Sequence, residues 1–178
     1  GGRSAGQIVS YAMKQAEAYG VEVEVPQLVS KEALEEHCAG KKICIVSFLP
    51  HILDTGVEGR NEMLEMLKRV GMKKYSSLWA WMWAEGTMQT ALTDALEMNA
   101  GLPAVAAINL GKQRYAVHAG AFDEGHLGSF LSGLMSGRVK TAKLPESLLS
   151  VIETVDPWDG TEGQAAEEEF SLDDLMAD

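Results

Sequence analysis

The sequence predicts an α/β fold in which a mixed β-sheet is covered by helices on both faces. Helix-like and strand-like segments alternate along the chain. Residues 43–49 form an almost continuous apolar run, which is typical of a strand buried on both faces. A β-hairpin over 104–110 and 114–118, followed by one more amphipathic helix, closes the pattern and favours a mixed sheet.

The elements before the buried strand are predicted from the spacing of their apolar residues and from the residues that begin or end each segment. Residues 8–18 have an amphipathic period, which predicts a helix. Residues 21–25 alternate with period two, which predicts a half-buried strand closed by Pro26. Ser30 is a suitable N-cap for a helix that runs to about Cys38.

The elements after the buried strand include one that is rich in tryptophan. Helices are predicted over 58–70, 88–98 and 124–138, and a strand over 77–84. Trp79, Trp81 and Trp83 share one face of that strand, as an aromatic binding wall or as part of the core. Because each indole buries a large area, we expect a packed core. The last helix begins after the N-cap Asp123 and has the clearest apolar period.

Charge is distributed unevenly along the 178 residues. The chain has 15 Lys and Arg against 26 Asp and Glu, a net charge of −11. Ten of the acids lie in 153–178, which contains no Lys or Arg, and this composition predicts an acidic, disordered C-terminal tail. The basic surface that nucleic-acid binding needs is missing, and no apolar run approaches the ~20 residues of a membrane span. We therefore expect neither nucleic acid nor a membrane as a partner.

The order of elements is that of a thioredoxin-like fold, which places redox chemistry in the loop after the central strand. Residues 48–55 occupy this loop. Aligned on Pro50, they put Ile52 and Thr55 where a redox-active member has the two cysteines of its Cys-x-x-Cys motif. The buried carboxylate of such a member would stand at Val46. Neither Ile52 nor Thr55 forms a thiolate, so we expect no Cys-x-x-Cys chemistry and no catalytic residue here.

The second diagnostic position of this fold is the Gly-x-Pro before the hairpin, here residues 101–103. The proline of this motif is usually cis and faces the redox loop, so Pro103 is predicted to follow a cis peptide bond. Two interpretations remain open. Leu102 and Pro103 are either a retained ledge for an extended peptide, or a cis-proline that only turns the chain into the hairpin.

These segments resemble the C-terminal, redox-inactive thioredoxin-like domain of protein disulfide-isomerases in which two redox domains precede it. The matching segments are 49–56, 59–61, 103–109 and 156–160, together with the spacing of Cys38 and Cys44. The resemblance implies a parent enzyme of the endoplasmic reticulum lumen that forms and rearranges disulfides. Unfolded secretory proteins or lumenal chaperones are then the expected partners.

The resemblance also implies a division of the chain. Residues 1–20 correspond to the terminal helix of a preceding redox domain, 21–152 to the thioredoxin-like domain without Cys-x-x-Cys, and 153–178 to the tail. The cysteines at 38 and 44 fit a single bridge or two buried thiols. In an oxidising lumen we expect a structural disulfide, because neither cysteine lies at a helix N-terminus where a thiolate would be activated.

The predicted function is a client- or chaperone-binding module of a disulfide isomerase. Its expected peptide-binding surface consists of His51, Ile52, Leu53, Leu102 and Pro103. The main alternative is a structural spacer with a calcium-buffering tail, and exposure of Ile52 and Leu53 separates the two, since a covered surface favours the spacer. An oxidoreductase that uses the two cysteines is a third hypothesis. No metal or cofactor is expected beyond weak Ca²⁺ binding by the tail.

Within the tail, two features are suited to docking on a partner or on the domain itself. Pro157 and Trp158 are one, because an exposed indole in a disordered tail would be unusual. The other is a possible amphipathic helix whose apolar residues are Phe170, Leu172, Leu175 and Met176.

Overall fold

The computed structural model describes residues 23–74 and 76–163. The predicted helix over 8–18, and the amphipathic pattern after residue 163, lie outside these residues. The helices are α1 (Lys31–Cys38), α2 (Ile52–Lys73), α3 (Thr90–Ala95) and α4 (Glu124–Ser136). The strands are β1 (Ile43–Leu49), β2 (Trp79–Glu85), β3 (Ala104–Asn109), β4 (Arg114–Val117) and β5 (Ala142–Lys143). Short 3₁₀ turns cover Gly86–Met88 and Leu148–Val151.

The five strands form one mixed sheet in the order β2-β1-β3-β4-β5. β1 pairs parallel with β2 and antiparallel with β3, and the remaining pairs are antiparallel. The apolar run at 43–49 therefore has a strand on each side, and six of its seven residues are buried. This arrangement confirms the predicted mixed sheet and the predicted hairpin.

Helices cover both faces of the sheet, as predicted. On one face, α1 contributes Leu34 and Cys38, and α3 with the residue after it contributes Leu92 and Leu96; these pack against Val46, Phe48 and Met82. On the other face, α2 and α4 contribute Leu67, Val70, Leu127 and Leu131, which pack against Ile45, Trp81 and Val105. Strand β2, which carries the tryptophans, thus supplies core residues on this second face, where Trp81 is buried and Trp79 is partly buried.

Helix α2 begins six residues earlier than the period of its apolar residues indicates. His51 is its N-cap, with Nδ1 accepting a hydrogen bond of 3.0 Å from the amide of Leu53. The helix is kinked at Gly56, whose φ of 68° and ψ of 173° are outside the helical region. A backbone conformation of this kind favours glycine. The kink interrupts the apolar period, and for this reason the sequence predicts the helix only from residue 58.

The predicted strand over 21–25 is wrong for the residues that are described, since residues 23–26 belong to no strand. The chain instead forms one parallel bridge, at Gln27 and Trp83. The carbonyl of Pro26 accepts a hydrogen bond from Trp83, and the amide of Leu28 donates to the carbonyl of the same residue. Proline has no N–H to extend this pairing, so a ladder does not form. The alternation of apolar residues over 21–25 reflects their packing, because Val23 and Val25 contact the core on the sheet face covered by α2 and α4.

Cys38 and Cys44 form a disulfide that joins the end of α1 to β1. Both residues are buried, at 3% and 2% exposure. The bridge therefore ties α1 to an inner strand of the sheet, and its sulfurs are closed off from a substrate thiol.

Replacing both cysteines with alanine is expected to lower the free energy of unfolding by about 2 kcal/mol, the chain-entropy value for so short a loop. Urea denaturation followed by far-UV circular dichroism measures the change. The unmodified chain treated with reductant is the control and should lose a similar amount. A double variant as stable as the oxidised chain would contradict a stabilising role for the bridge.

Candidate functional site

The two segments that the sequence singles out lie at the same edge of the sheet. Phe48 pairs with Ala104, and Leu49 pairs with Glu85. The ends of β1 and β2 and the start of β3 therefore meet. This register puts the loop after β1 beside the segment before β3, and we call residues 51–53 with 102–103 the ledge.

The ledge is only partly open. Leu53 is 51% exposed and Leu102 is 37% exposed, whereas Ile52 is 7% exposed. The peptide bond between Leu102 and Pro103 is cis. The side chain of Leu102 lies directly on Gly86, where the Cβ of any other residue would collide with it. The prediction that Ile52 is part of an open docking surface is therefore wrong, and Leu53 and Leu102 carry the exposed apolar area.

Residues 153–163, which we call the strap, pack along the domain and reach Ile52 at Gly163. The amide of Val155 donates to the carbonyl of Val29 at 2.9 Å, and the amide of Val57 donates to Glu162 Oε1 at 3.0 Å. Gly163 lies against Ile52, with no space for a side chain. The predicted disordered tail is thus wrong for its first part, because residues 153–163 pack on the domain. The remainder of that prediction lies outside the described residues.

A buried glutamine fixes the start of the strap. Gln89 is fully buried, and its side chain donates to the carbonyl of Glu153 and accepts from the amide of the same residue, both at 2.9 Å. A second glutamine, Gln27, accepts from the amide of Trp158 at 2.7 Å. Both contacts satisfy backbone groups that an extended segment would otherwise expose to water. The strap is therefore held to the domain at both of these points.

The strap ends in a compact turn after Trp158. The indole N–H donates to the carbonyl of Thr161 at 2.9 Å, and Asp159 Oδ1 accepts from the hydroxyl and the amide of Thr161 at 2.6 and 2.9 Å. These hydrogen bonds lower the pKa of the Asp159 carboxyl, the hydroxyl contributing most. Because the folded pKa is lowered, the stabilisation is present at neutral pH and is lost as the pH falls through that pKa.

Beneath the strap lies a buried charge cluster that joins α2, β2 and the strap. Arg60 is fully buried, and its guanidinium carbon is 5.1 Å from the ring centroid of Trp83 and 5.0 Å from that of Trp158. The two indoles are perpendicular, with centroids 6.1 Å apart. Cation–π attraction at desolvated rings of this kind stabilises a buried guanidinium. The strap indole therefore completes the surroundings of Arg60.

The same guanidinium also neutralises a buried carboxylate. Arg60 Nη2 donates to the carbonyl of Pro50 at 2.9 Å and lies 3.3 Å from Glu85 Oε2. Glu85 is 5% exposed, and its Oε1 is 3.5 Å from His51 Nε2 and accepts from the Thr87 hydroxyl at 3.3 Å. Among the described residues, Arg60 Nε and Nη1 have no hydrogen-bond partner. The Arg60–Glu85 pair thus connects the start of α2 to the end of β2, directly below the ledge.

The cluster was not predicted, although the sequence carries a signal for it. Arg60 is four and seven residues before Leu64 and Leu67, two inward-facing residues of α2, and so it lies on the buried face of that helix. An arginine at such a position needs a buried partner. Trp83 was expected to be core, and it is buried, but Arg60 and Trp158 are the partners that cover it.

No group of three or more His, Cys, Asp or Glu side chains suited to a metal ion occurs within 23–74 and 76–163. In the same part of the chain, no helix is long and apolar enough to cross a membrane. Weak Ca²⁺ binding by the tail remains a prediction, since most of the acids that it invokes lie after residue 163.

Comparison with known proteins identifies the family. A family model described as the PDIA6-like, C-terminal thioredoxin-like domain matches residues 14–139. Protein disulfide-isomerase A6 homolog of Drosophila melanogaster is 38% identical over the whole chain, which covers 42% of that protein. Human protein disulfide-isomerase A6 is 35% identical, also over the whole chain, which covers 41% of it. The chain spans about two fifths of the length of these relatives.

The fold also matches a solved structure at low sequence identity. Human ERp44 superposes with a TM-score of 0.51 and 18% identity, over 72% of this chain and 36% of that one. This match supports the thioredoxin-like architecture. With the family model and the two relatives, it leads to one assignment: the chain belongs to the PDIA6-like family of protein disulfide-isomerases, to whose C-terminal thioredoxin-like domain it corresponds.

Proposed function

We propose that this chain is a redox-inactive domain of a disulfide isomerase of the endoplasmic reticulum lumen, and that it binds unfolded clients or chaperone partners. Upstream Cys-x-x-Cys domains would form and rearrange disulfides in the same clients. The observation that carries the proposal is the pair of exposed leucines, Leu53 and Leu102, beside the cis peptide bond at Pro103. Exposed apolar residues grouped at one edge of a domain are typical of a binding surface.

The backbone at the ledge supports binding of an extended peptide. Within the described residues, no hydrogen bond occupies the N–H or the C=O of Leu102. An extended chain laid along this segment would satisfy both groups, while its side chains contact the neighbouring leucines. Met88, which is 44% exposed and two residues after Gly86, adds apolar area beside Leu102.

The proposed role involves no thiol chemistry, because neither cysteine of the chain is free to react. The sequence contains two, and both are in the buried disulfide. At the ledge, Ile52 stands at the position aligned with a nucleophilic cysteine, and Thr55 at that of the resolving cysteine. Neither side chain exchanges disulfides.

A structural spacer is the second candidate, and one observation favours it. The strap covers Ile52, so less of the ledge is open than in a surface formed by all five predicted residues. In this role the domain would position the redox domains, and the acidic tail would buffer calcium. The two candidates differ in whether the remaining exposed leucines bind a client.

The Leu102→Ser variant is expected to bind a reduced, unfolded client peptide at least about tenfold more weakly than the unmodified chain, since one buried leucine contributes about 1.5–3 kcal/mol. Amide NMR titration of the 178-residue chain measures the affinity and locates the shifts. Leu78→Ser is the matched control, because Leu78 is 50% exposed and precedes β2 at the other end of the strands.

Shifts grouped on 50–55 and 101–104, lost only in Leu102→Ser, would support the binding module. An equal loss in both variants, or shifts elsewhere on the domain, would contradict the ledge as the site. No shifts at millimolar peptide would favour the spacer.

A further inference from the structure

We propose that a groove lined by apolar and basic side chains, at the end of the strands away from the ledge, binds the acidic segment 167–178 of the same chain. The groove lies where β1 and β2 begin and β3 ends, together with the end of α2. This is the far end from the ledge, and the proposal is independent of client binding.

The groove has the size and apolar floor of a docking site for a peptide segment. Its volume is about 840 Å³, and its floor includes Ile43, Trp79 and Leu134. Two large apolar side chains stand at its rim: Leu78 is 50% exposed and Met135 is 70% exposed. Most other large apolar side chains of the described residues are buried, and an exposed apolar area of this kind is typical of an interaction surface.

The charge of the groove is of one sign. Its basic lining residues are Lys42, Lys73, Lys74, Lys112 and Arg114, and no acidic side chain lines it among the described residues. Of these five, only Lys73 has a carboxylate partner in the described part of the chain, Glu124 at 3.6 Å. The guanidinium of Arg114 donates instead to Thr141, through Nε to the hydroxyl and through Nη2 to the carbonyl. The groove therefore selects an acidic occupant with apolar side chains.

Residues 167–178 have this chemistry. The segment contains six Asp and Glu and no Lys or Arg, and its apolar side chains include Phe170, Leu172, Leu175 and Met176. The other end of the chain is a poorer match, because residues 1–22 contain two acids and two bases. Charge complementarity thus favours the C-terminal segment over the N-terminal one.

The distance to the groove is within reach of the chain. The strap ends at Gly163 against Ile52, at the ledge end of β1. A seven-residue strand such as β1 is about 20 Å long. Residues 164–169 span about 20 Å when extended, so the part of the segment from Phe170 onwards, with its apolar side chains and Asp173, Asp174 and Asp178, reaches the groove without displacing the strap.

A spin label on the acidic segment tests the proposal in the full chain. Both native cysteines are disulfide-bonded, so Ser171→Cys introduces a single reactive thiol for the label. We expect the label to at least halve the amide signal intensities of Lys42, Asn109 and Lys112, while Leu92 on the other face of the sheet is unaffected. Raising NaCl from 20 to 500 mM should restore most of the lost intensity, because the pairing is electrostatic.

Charge reversal supplies the control. Lys112→Glu combined with Arg114→Glu should abolish the broadening, whereas Lys31→Glu, an exposed change on α1, should leave it in place. Broadening that survives the double reversal, or no broadening at all, would overturn the proposal. So would broadening seen only when label and ¹⁵N are on different molecules, which indicates a second copy. A spin label can also be placed at Ser10→Cys. If that label broadens the amide signals of the groove residues and the label at residue 171 does not, the N-terminal segment is the occupant and the proposal is overturned.

Discussion

Replacing Arg60 with methionine is expected to lower the free energy of unfolding by about 3–5 kcal/mol, the range for removing one partner of a buried ion pair. The substitution leaves the carboxylate of Glu85 buried at 5% exposure without its cation. It also removes the cation that faces the indoles of Trp83 and Trp158. Urea denaturation of the full chain, followed by far-UV circular dichroism, measures the loss.

Arg69→Met is the matched control for this prediction. Arg69 is on the same helix and also pairs with a glutamate, Glu124 at 2.7 Å, but it is 57% exposed. An exposed pair is screened by water and salt, so this change should have little effect on stability. A loss for Arg60→Met as small as that for Arg69→Met would show that the buried cluster contributes little.

Two further variants separate the charge of Arg60 from its shape. Adding Glu85→Gln to Arg60→Met removes the unpaired carboxylate and should recover much of the lost stability, since the penalty is largely that of an uncompensated buried charge. Arg60→Lys keeps the charge but lacks the planar guanidinium that lies over two rings, and should recover only part of it. Full recovery in Arg60→Lys would mean that stacking on the indoles is unimportant.

The parts of the fold that the sequence predicts are those whose determinants are local. The buried run at 43–49, the hairpin turn over 111–113 and the capped helix after Asp123 each carry their signal within a few residues. The start of α2 does not, because a histidine provides the N-cap and a left-handed Gly56 interrupts the apolar period. The turn that follows the kink is fixed partly by the strap, because Glu162 accepts a hydrogen bond from the amide of Val57.

The candidate site is predicted less completely, because its geometry comes from contacts between distant residues. Alignment on Pro50 and Pro103 finds both segments of the ledge, and strand register brings them together. The sequence singles out Pro157 and Trp158 for docking, and Trp158 does pack on the domain, but the composition of the rest of the strap resembles a solvated tail and does not predict its contacts. Its contacts join residues 105 and 131 positions apart in the sequence, Glu162 with Val57 and Trp158 with Gln27.

The strap links the stability of the domain to the openness of the ledge. The indole of Trp158 contacts Arg60, and the following turn brings Gly163 onto Ile52. The same side chain therefore stabilises the buried charge and helps to hold the part of the strap that covers Ile52. This coupling means that the two candidate functions predict different effects of loss of the strap on peptide binding. A spacer would only become less stable, whereas a binding module would gain apolar surface.

The free energy of unfolding of the Trp158→Ala variant is expected to be about 3 kcal/mol lower than that of the unmodified chain, because the cation–π contact and the aromatic pair are lost. For the binding module, it should also bind the reduced client peptide more tightly, because loosening the strap near Gly163 uncovers Ile52 beside Leu53. Urea denaturation and amide NMR titration measure the two effects on the same sample. Trp158→Phe keeps an aromatic ring on Arg60 and should lie between the variant and the unmodified chain in both. Lower stability with weaker peptide binding would mean that the strap is itself part of the docking surface, since its removal then takes away more contact area than it uncovers.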